Sequence, residues 1–170
     1  DYDTPGAGDY YLLAKNSRRE TLIEPYIYNV AGTDTLITTV TVPIIEEGKF
    51  LGVAGVDIAL ADYQAEVSKI KPYQTGYASL FSNTGIFVGD IRSERVGTQI
   101  NDTELQAAIS AGKVFGRYRF NDILKADIYE VAVPVLIGAT ATPWSFRVTV
   151  PTERMMETVT AMRNSAIIIG

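Results

Sequence analysis

Cysteine and histidine are both absent from this chain of 170 residues. Without them the chain has no disulfide, no thiolate nucleophile, no serine–histidine–aspartate triad and no zinc site of the usual kind. Phosphate-binding loops are missing too, and the segment Gly52–Gly55 lacks the third glycine of a dinucleotide-binding turn. Most of the common catalytic apparatus is therefore excluded, although an enzyme of another type is not.

Positive charge is in deficit, with 15 lysines and arginines against 20 aspartates and glutamates and a net charge of -5. Such a surface repels the phosphate backbone, so we expect no nucleic-acid partner. Hydrophobic residues make up 46% of the chain, which is typical of a packed globular protein and too high for a disordered one. The lack of cysteine fits a reducing cytosol and an exported bacterial domain equally well, so it leaves the compartment open.

The first half of the sequence is predicted to form strands, with one helix before them and another after them. Alternating and β-branched residues indicate the strands, and Leu60, Tyr63, Val67 and Ile70 recur at helical spacing. Pro43 indicates an edge or a bulge near the end of the middle strand. The predicted elements are a helix over 10–16, strands over 22–28, 36–45 and 50–58, and an amphipathic helix over 61–70.

The second half repeats this pattern. A turn at 82–85 separates two strands, and Asp102 lies in a sequence that resembles a capping box. The predicted elements are strands over 77–81, 86–89, 113–120, 128–137 and 144–150, a helix from 103 to about 111, and a last helix from Thr152 with Met155, Val159, Met162 and Ala166 on one face. The sequence therefore predicts an α+β fold in which one antiparallel unit with flanking helices is used twice.

Pro72 disfavours helix at Lys71 and gives the clearest internal boundary. We predict a first module over 1–71, a second over 72–151 and a C-terminal helix over 152–170. No apolar run reaches the roughly 18 to 20 residues that cross a bilayer as a helix. The three isoleucines Ile167–Ile169 fit either a last turn packed on the core or the first turn of a membrane span.

Tyrosine is concentrated at the start of the chain, where Tyr10, Tyr11, Tyr26 and Tyr28 are candidate binding residues. Tyr26 and Tyr28 are two apart on a predicted strand, so their side chains share a face. Aromatic faces attract cations, and a group of them beside a carboxylate is a sound site for an amine. The alternative from these residues alone is a tyrosine-rich edge of the core.

Asp57 interrupts an otherwise apolar strand, which predicts that it is buried and needs a partner. The partner is either a structural amide or arginine, or the ammonium group of a ligand. Other charged candidates, the pair Glu46–Glu47 and the pair Asp1 and Asp3, fit solvated turns better than acid–base or calcium chemistry. Arg18–Arg19 also fits solvated charge, and it is the nearest candidate for holding a carboxylate.

Several runs of the sequence resemble the double Cache domains, the extracytoplasmic sensors of methyl-accepting chemotaxis proteins and of some sensor kinases. The run from Gly48 to Asp57 is fairly specific, and the order of the two halves makes it more so. The resemblance covers essentially the whole chain and is carried by the residues at 24–26, 41–44, 47–58 and 75–85.

The resemblance implies two tandem PAS-like (Cache) modules in a membrane-anchored receptor, with the sensor in the periplasm or outside the cell and the anchor in the inner membrane. It implies a small-molecule ligand, often an amino acid or another amine, in the distal module, a homodimer formed through the receptor, no cofactor and no catalytic activity. The last helix would run into a transmembrane span. By the same analogy, the long N-terminal helix and the first distal strands of the family are missing from this sequence.

Amine-sensing members of the family share an arginine before an aromatic pair, a tyrosine two residues before an aspartate, and the aspartate that Asp57 matches. Here Gly8 falls near the arginine position and Tyr28 replaces the first aspartate, while Tyr10–Tyr11 match the aromatic pair. The remaining set of tyrosines and one carboxylate suits a bulky, weakly hydrated cation such as a quaternary amine. The alternatives are the sensor of a histidine kinase, a non-binding structural or adhesion module, and a hydrolase that pairs Asp57 with a second carboxylate.

Overall fold

A computed structural model describes residues 2–6 and 8–157 of the chain. Helix α1 spans Asp9–Ser17 and ends where Arg18 adopts a left-handed conformation. The first sheet then contains four strands: β1 Thr21–Leu22, β2 Tyr26–Val30, β3 Thr33–Glu46 and β4 Lys49–Ala59. The prediction of one continuous strand over 22–28 is thus wrong, because residues 23–25, the last of which is Pro25, leave the sheet and separate β1 from β2.

Strand β3 organises the first sheet. Strands β1 and β2 pair with one edge of β3 and β4 pairs with the other edge, all antiparallel. Glu47 and Gly48 form the β3–β4 turn with positive φ angles of 48° and 77°. The register shifts between Ile44 and Ile45, so the irregularity predicted from Pro43 is confirmed within two residues.

Helix α2, Leu60–Val67, follows β4 directly and buries Leu60 and Val67. It starts one residue earlier and ends three residues earlier than predicted, and Ile70 is 40% exposed instead of buried. A 3₁₀ turn at Pro72–Gln74 leads into the second sheet, as the break at Pro72 predicted.

The second sheet has five antiparallel strands in the order β6-β5-β9-β8-β7. Helix α3, Thr103–Ser110, lies between β6 and β7, and its N-cap Asp102 accepts a hydrogen bond from the Leu105 amide. The strands are β5 Tyr77–Phe81, β6 Phe87–Asp90, β7 Phe115–Asn121, β8 Ala126–Val135 and β9 Trp144–Pro151. Each agrees with its predicted range to within about two residues at either end.

A shared core joins the two sheets. Its buried members come from β1, from α2 and from the second sheet, and Leu36 and Val40 of β3 pack against them. Each large side chain that is fully buried contributes about 1.5–3 kcal/mol to stability. The buried members are Leu22, Leu60, Val67, Ala78, Leu80, Val88 and Trp144.

The structure confirms the predicted fold class, with two antiparallel sheets and few helices. The module limits 1–71 and 72–151 stay a prediction. A helix begins at Thr152 directly after β9 and is described as far as Glu157. Val159, Met162, Ala166 and residues 167–169, on which the rest of that prediction depends, lie outside the described residues. Within the described chain, no helix is both long and apolar enough to span a membrane.

Candidate ligand-binding site

One face of the first sheet carries most of the residues that the sequence singles out. Thr39 pairs with Asp57 across β3 and β4, and Tyr26 pairs with Ile37 across β2 and β3. Because side chains alternate along a strand, Tyr26, Thr39 and Asp57 point to the same face of the sheet. Tyr28, two residues after Tyr26, joins them there.

Asp57 is linked to Tyr26 through a threonine hydroxyl. Thr39 Oγ1 donates to Asp57 Oδ1 at 2.6 Å, and Tyr26 Oη lies 2.8 Å from Thr39 Oγ1. A threonine hydroxyl has a single proton, and this one is given to the carboxylate. Tyr26 must therefore be the donor in the second bond, so the chain of hydrogen bonds runs from Tyr26 through Thr39 to Asp57.

The prediction that Asp57 is buried is wrong, because its side chain is exposed to solvent. Strand β4 pairs only with β3 among the described strands. The small residues Gly55 and Ala59, two before and two after Asp57 on the same face, leave the carboxylate uncovered. Its partner is the hydroxyl of buried Thr39, so the negative charge of Asp57 has a neutral partner and an open side.

Tyr26 lies close to this carboxylate and to two further tyrosines, Tyr28 and Tyr10. The rings of Tyr26 and Tyr28 lie 6.4 Å apart in an edge-to-face arrangement, and Tyr28 is 52% exposed. Burial raises the pKa of Tyr26 above its ordinary value of 10.0, and the charges of Asp57, Tyr28 and Tyr10 add to that rise. Tyr26 is therefore a neutral hydrogen-bond donor at neutral pH, and Tyr10 lies close enough to interact with it.

Tyr11 has a different environment. Its ring packs edge-to-face between Tyr2 at 5.1 Å and Phe50 at 5.6 Å, and Lys15 Nζ lies 5.1 Å from its centroid. These contacts hold α1 against β4. The structure thus places Tyr10, Tyr28 and Asp57 each within interaction range of Tyr26, and it places Tyr11 in the packing between α1 and β4.

A cavity of about 730 Å³ borders the same region. Tyr10 and Tyr26 contribute to its wall, and so does Arg19, whereas Asp57 does not. The cavity extends to loops of the second sheet, where Glu24 accepts a hydrogen bond from the hydroxyl of Thr84 at 2.7 Å. Sequence reasoning missed Thr39 and Glu24, since both act through contacts that only the tertiary structure creates.

Metal binding has no support among residues 2–6 and 8–157, where no group of three or more aspartates and glutamates is placed to hold an ion.

Comparison with known proteins connects this architecture to sensors. Residues 1–65 match the family model described as the first PDC sensor domain of methyl-accepting chemotaxis protein-like proteins. The chain is 28% identical over 157 residues to the methyl-accepting chemotaxis protein TlpQ of Pseudomonas aeruginosa, covering 86% of this chain and 21% of TlpQ. The chain therefore spans about a fifth of the length of that chemoreceptor.

Solved structures show the same fold. The extracellular domain of the histidine kinase mmHK1S-Z3 superposes with a TM-score of 0.75 at 27% identity, over 94% of this chain and 58% of that domain. The ligand-binding domain of the Pseudomonas aeruginosa amino acid chemoreceptor PctC, in complex with GABA, superposes with a TM-score of 0.58 at 23% identity, over 83% and 60% of the two chains. Together with the family match, these likenesses confirm the predicted resemblance of the chain to the Cache-type sensor domains of methyl-accepting chemotaxis proteins and related transmembrane sensors.

Proposed function

We propose that this domain senses a small amine-bearing ligand for a transmembrane chemoreceptor, and that the ligand binds where Asp57 and the tyrosines meet on the first sheet. The observation that carries the proposal is the hydrogen-bonded chain from Tyr26 through Thr39 to Asp57. It holds one exposed carboxylate in place through a neutral hydroxyl, and no cationic side chain among residues 2–6 and 8–157 pairs with that carboxylate. In the whole receptor, the domain would lie in the periplasm or outside the cell, anchored in the inner membrane as part of a homodimer.

The charge of the site selects for a cation. Asp57 supplies one negative charge, and its bond to Thr39 leaves that charge in place because the hydroxyl is neutral. Tyr26 lies close to it, with the ring of Tyr28 6.4 Å from its own, and an aromatic face contributes about 0.5–2 kcal/mol to holding a cation. An ammonium group would gain both contacts, whereas an anion would be repelled.

Two kinds of amine fit this arrangement. A quaternary amine needs only the carboxylate and the aromatic faces. An amino acid also needs a partner for its own carboxylate, and Arg19 offers one because it lines the adjoining cavity together with Tyr10 and Tyr26. The complex of PctC with GABA shows that a domain of this fold accepts an amine-bearing ligand.

Signal transmission would use the connection between the two sheets and the last helix. The first sheet shares a core with the second, and β9 of the second sheet runs directly into the helix that begins at Thr152. Thr152 Oγ1 donates to the Asp127 carbonyl at 3.1 Å and ties the start of this helix to β8. A ligand shifts such a system only if it binds one arrangement of these elements more tightly than the other.

A histidine-kinase output is the second candidate. The likeness to the extracellular domain of mmHK1S-Z3, with a TM-score of 0.75, favours it as much as the likeness to TlpQ favours a chemoreceptor. Both outputs are compatible with the same ligand site, since the sensor domain is separate from the output domain.

A thermal-shift screen of the purified domain tests the ligand site. The compounds are choline, GABA, putrescine, L-arginine and, as anionic controls, acetate and succinate. A ligand at one hundred times its dissociation constant stabilises the native state by about 2.7 kcal/mol, which corresponds to a rise in Tm of about 5–10 °C for a chain of this size. We expect such a rise from at least one amine.

Two variants locate the effect. Asp57→Asn should abolish the rise, and Asp62→Asn, which removes the same charge from an exposed position on α2, should preserve it. An equal rise in both variants would contradict the site. Shifts from acetate or succinate alone, with none from any amine, would contradict the proposed ligand class.

A further inference from the structure

The second sheet contains a cavity of its own, of about 380 Å³. No residue that lines it also lines the cavity beside the tyrosines. Its volume lies within the range of about 300–1,000 Å³ that is usual for small-molecule sites. Four arginines contribute to its wall, namely Arg92, Arg95, Arg119 and Arg147.

Arg147 is the most deeply placed of these arginines, with only 3% of its surface exposed. Its Nη2 donates to Ser79 Oγ at 2.9 Å, while its Nη1 lies 3.5 Å from Glu130 Oε2. Its Nε is buried and has no hydrogen-bond partner among the described residues. A buried donor without a partner costs about 1–3 kcal/mol, more when it is charged. A hydrogen-bond acceptor that reached the Arg147 Nε would therefore stabilise this part of the structure.

Arginines outnumber acidic residues in the wall of the cavity, where Asp102 and Asp122 are the two acidic residues. Glu130 accepts hydrogen bonds from Arg117 and Arg119 at 2.7 and 2.8 Å, and Asp90 Oδ2 lies 3.5 Å from Arg95. The network contains four guanidinium groups and four carboxylates, one of which, Glu104, is exposed. Its members are Arg95, Arg117, Arg119 and Arg147 with Asp90, Asp102, Glu104 and Glu130.

Further charged side chains lie at the rim of the cavity. Asp122 pairs with Lys125 at 3.6 Å, and Arg92 lies 4.0 Å from Glu94. Glu104 lies 3.6 Å from Arg117 with its side chain 76% exposed, so solvent screens its charge. Burial lowers the pKa of Arg95 in spite of the opposing effect of Asp90, whereas the hydrogen bonds to Glu130 raise the pKa of Arg119.

We propose that this cavity is a second binding site, which accepts a small organic anion through its carboxylate. The carboxylate would take the hydrogen bond of the Arg147 Nε and the charge of Arg95, with Arg92 at the entrance. Inorganic phosphate presents the same oxyanion chemistry, and the experiment below separates the two. The site lies apart from the amine site and does not depend on it.

The location of Arg147 gives the second site a route to the output. Arg147 lies on β9, and the helix that begins at Thr152 directly follows that strand in the chain. Ser79, its hydrogen-bond partner, lies on β5 beside it. An anion bound here would therefore contact the strand that leads into the last helix, without acting through the first sheet.

Isothermal titration of the purified domain with acetate, succinate and inorganic phosphate, each at constant ionic strength in sodium chloride, tests this proposal. We expect saturable one-site binding of a carboxylate, with phosphate at least tenfold weaker. Arg92→Gln should weaken carboxylate binding several-fold, and Arg147→Lys, which keeps the charge and removes the Nε donor, should weaken it tenfold or more. Arg154→Gln removes an exposed arginine outside the cavity and should leave binding unchanged.

A second readout covers the case in which Arg147→Lys does not fold. In ¹H–¹⁵N spectra of the unaltered domain, one arginine Nε–H resonance that is protected from solvent exchange should shift downfield during the titration. Binding that is equal in Arg92→Gln and in the unaltered domain, with no shift of such a resonance, would overturn the proposal. So would the absence of any saturable binding, and tighter binding of phosphate would overturn the choice of a carboxylate.

Discussion

The carboxylates that interrupt apolar strands have opposite environments in the two sheets. Asp57 of the first sheet is exposed and hydrogen-bonded to a neutral hydroxyl, whereas Asp90 and Glu130 of the second sheet are fully buried and lie among arginines. The first arrangement leaves a charge unsatisfied at the surface, and the second uses charge to hold strands together. The comparison teaches that a carboxylate within an apolar strand keeps its charge available at the surface when its partner is a neutral hydroxyl, and loses that availability when its partners are arginines.

Removing Glu130 is expected to have the largest effect, and it tests whether the carboxylates of the two sheets differ in their contribution to stability. Glu130→Ala would leave Arg117, Arg119 and Arg147 without their shared acceptor, and breaking a buried ion pair from one side costs about 3–5 kcal/mol. We expect a loss of that size in the free energy of unfolding, measured with urea. Asp57→Asn is the matched change in the first sheet and should cost less than about 1 kcal/mol, because the carboxylate is exposed. Equal losses would contradict the distinction.

Acid should weaken the same network in part. Burial alone would raise the pKa of Glu130, but the hydrogen bonds from Arg119 and Arg117 and the charge of Arg147 outweigh it and hold the pKa below the usual 4.5. Hydrogen bonds from Arg117 and from the Leu105 amide likewise outweigh burial and lower the pKa of Asp102.

Lowered pKa values fix the direction of the pH effect. As the pH falls, Glu130 and Asp102 take up protons in the unfolded chain before they do so in the folded one. The stabilisation that their ionised forms provide is therefore complete above pH 4.5, and it is lost as the pH falls through their lowered pKa values. Urea unfolding between pH 7 and pH 3 should show the loss, and Glu130→Gln should flatten the slope. A slope that Glu130→Gln leaves unchanged would assign the effect to other carboxylates.

Asp57→Asn tests the role of the first-sheet carboxylate in amine binding. The change keeps the shape of the side chain and removes its charge, so we expect amine affinity to fall tenfold or more, which is the effect of losing a charge-assisted contact. Isothermal titration measures it. Unaltered affinity for the amine would mean that Asp57 plays no part in binding.

The smallest expected effect comes from the aromatic faces. Tyr28→Ala removes a half-exposed ring from the cluster and should weaken amine binding about two- to fivefold, in line with a cation–π contact near the surface. Tyr118→Ala removes an exposed ring from β7 of the second sheet and is the matched control. A larger loss in Tyr118→Ala than in Tyr28→Ala would place the amine elsewhere.

The strands were predictable where local pattern decides them. The β-branched run of β3 and the turn at Glu47–Gly48 give the hairpin to within about three residues, because both signals are local in sequence. The partner of Asp57 was not predictable, since the bond from Thr39 depends on the register between β3 and β4. Glu130 and Arg147 interrupt apolar strands just as Asp57 does, and this shared signal would have located the buried network.

The most direct test of the account is a pair of titrations of choline and of GABA into the unaltered domain, Asp57→Asn and Asp62→Asn. The account predicts one-site binding of at least one of the two amines to the unaltered domain and to Asp62→Asn, and its loss in Asp57→Asn. Equal affinity in all three proteins, or binding of acetate in competition with the amine at the same site, would contradict the assignment of a cation site to the first sheet.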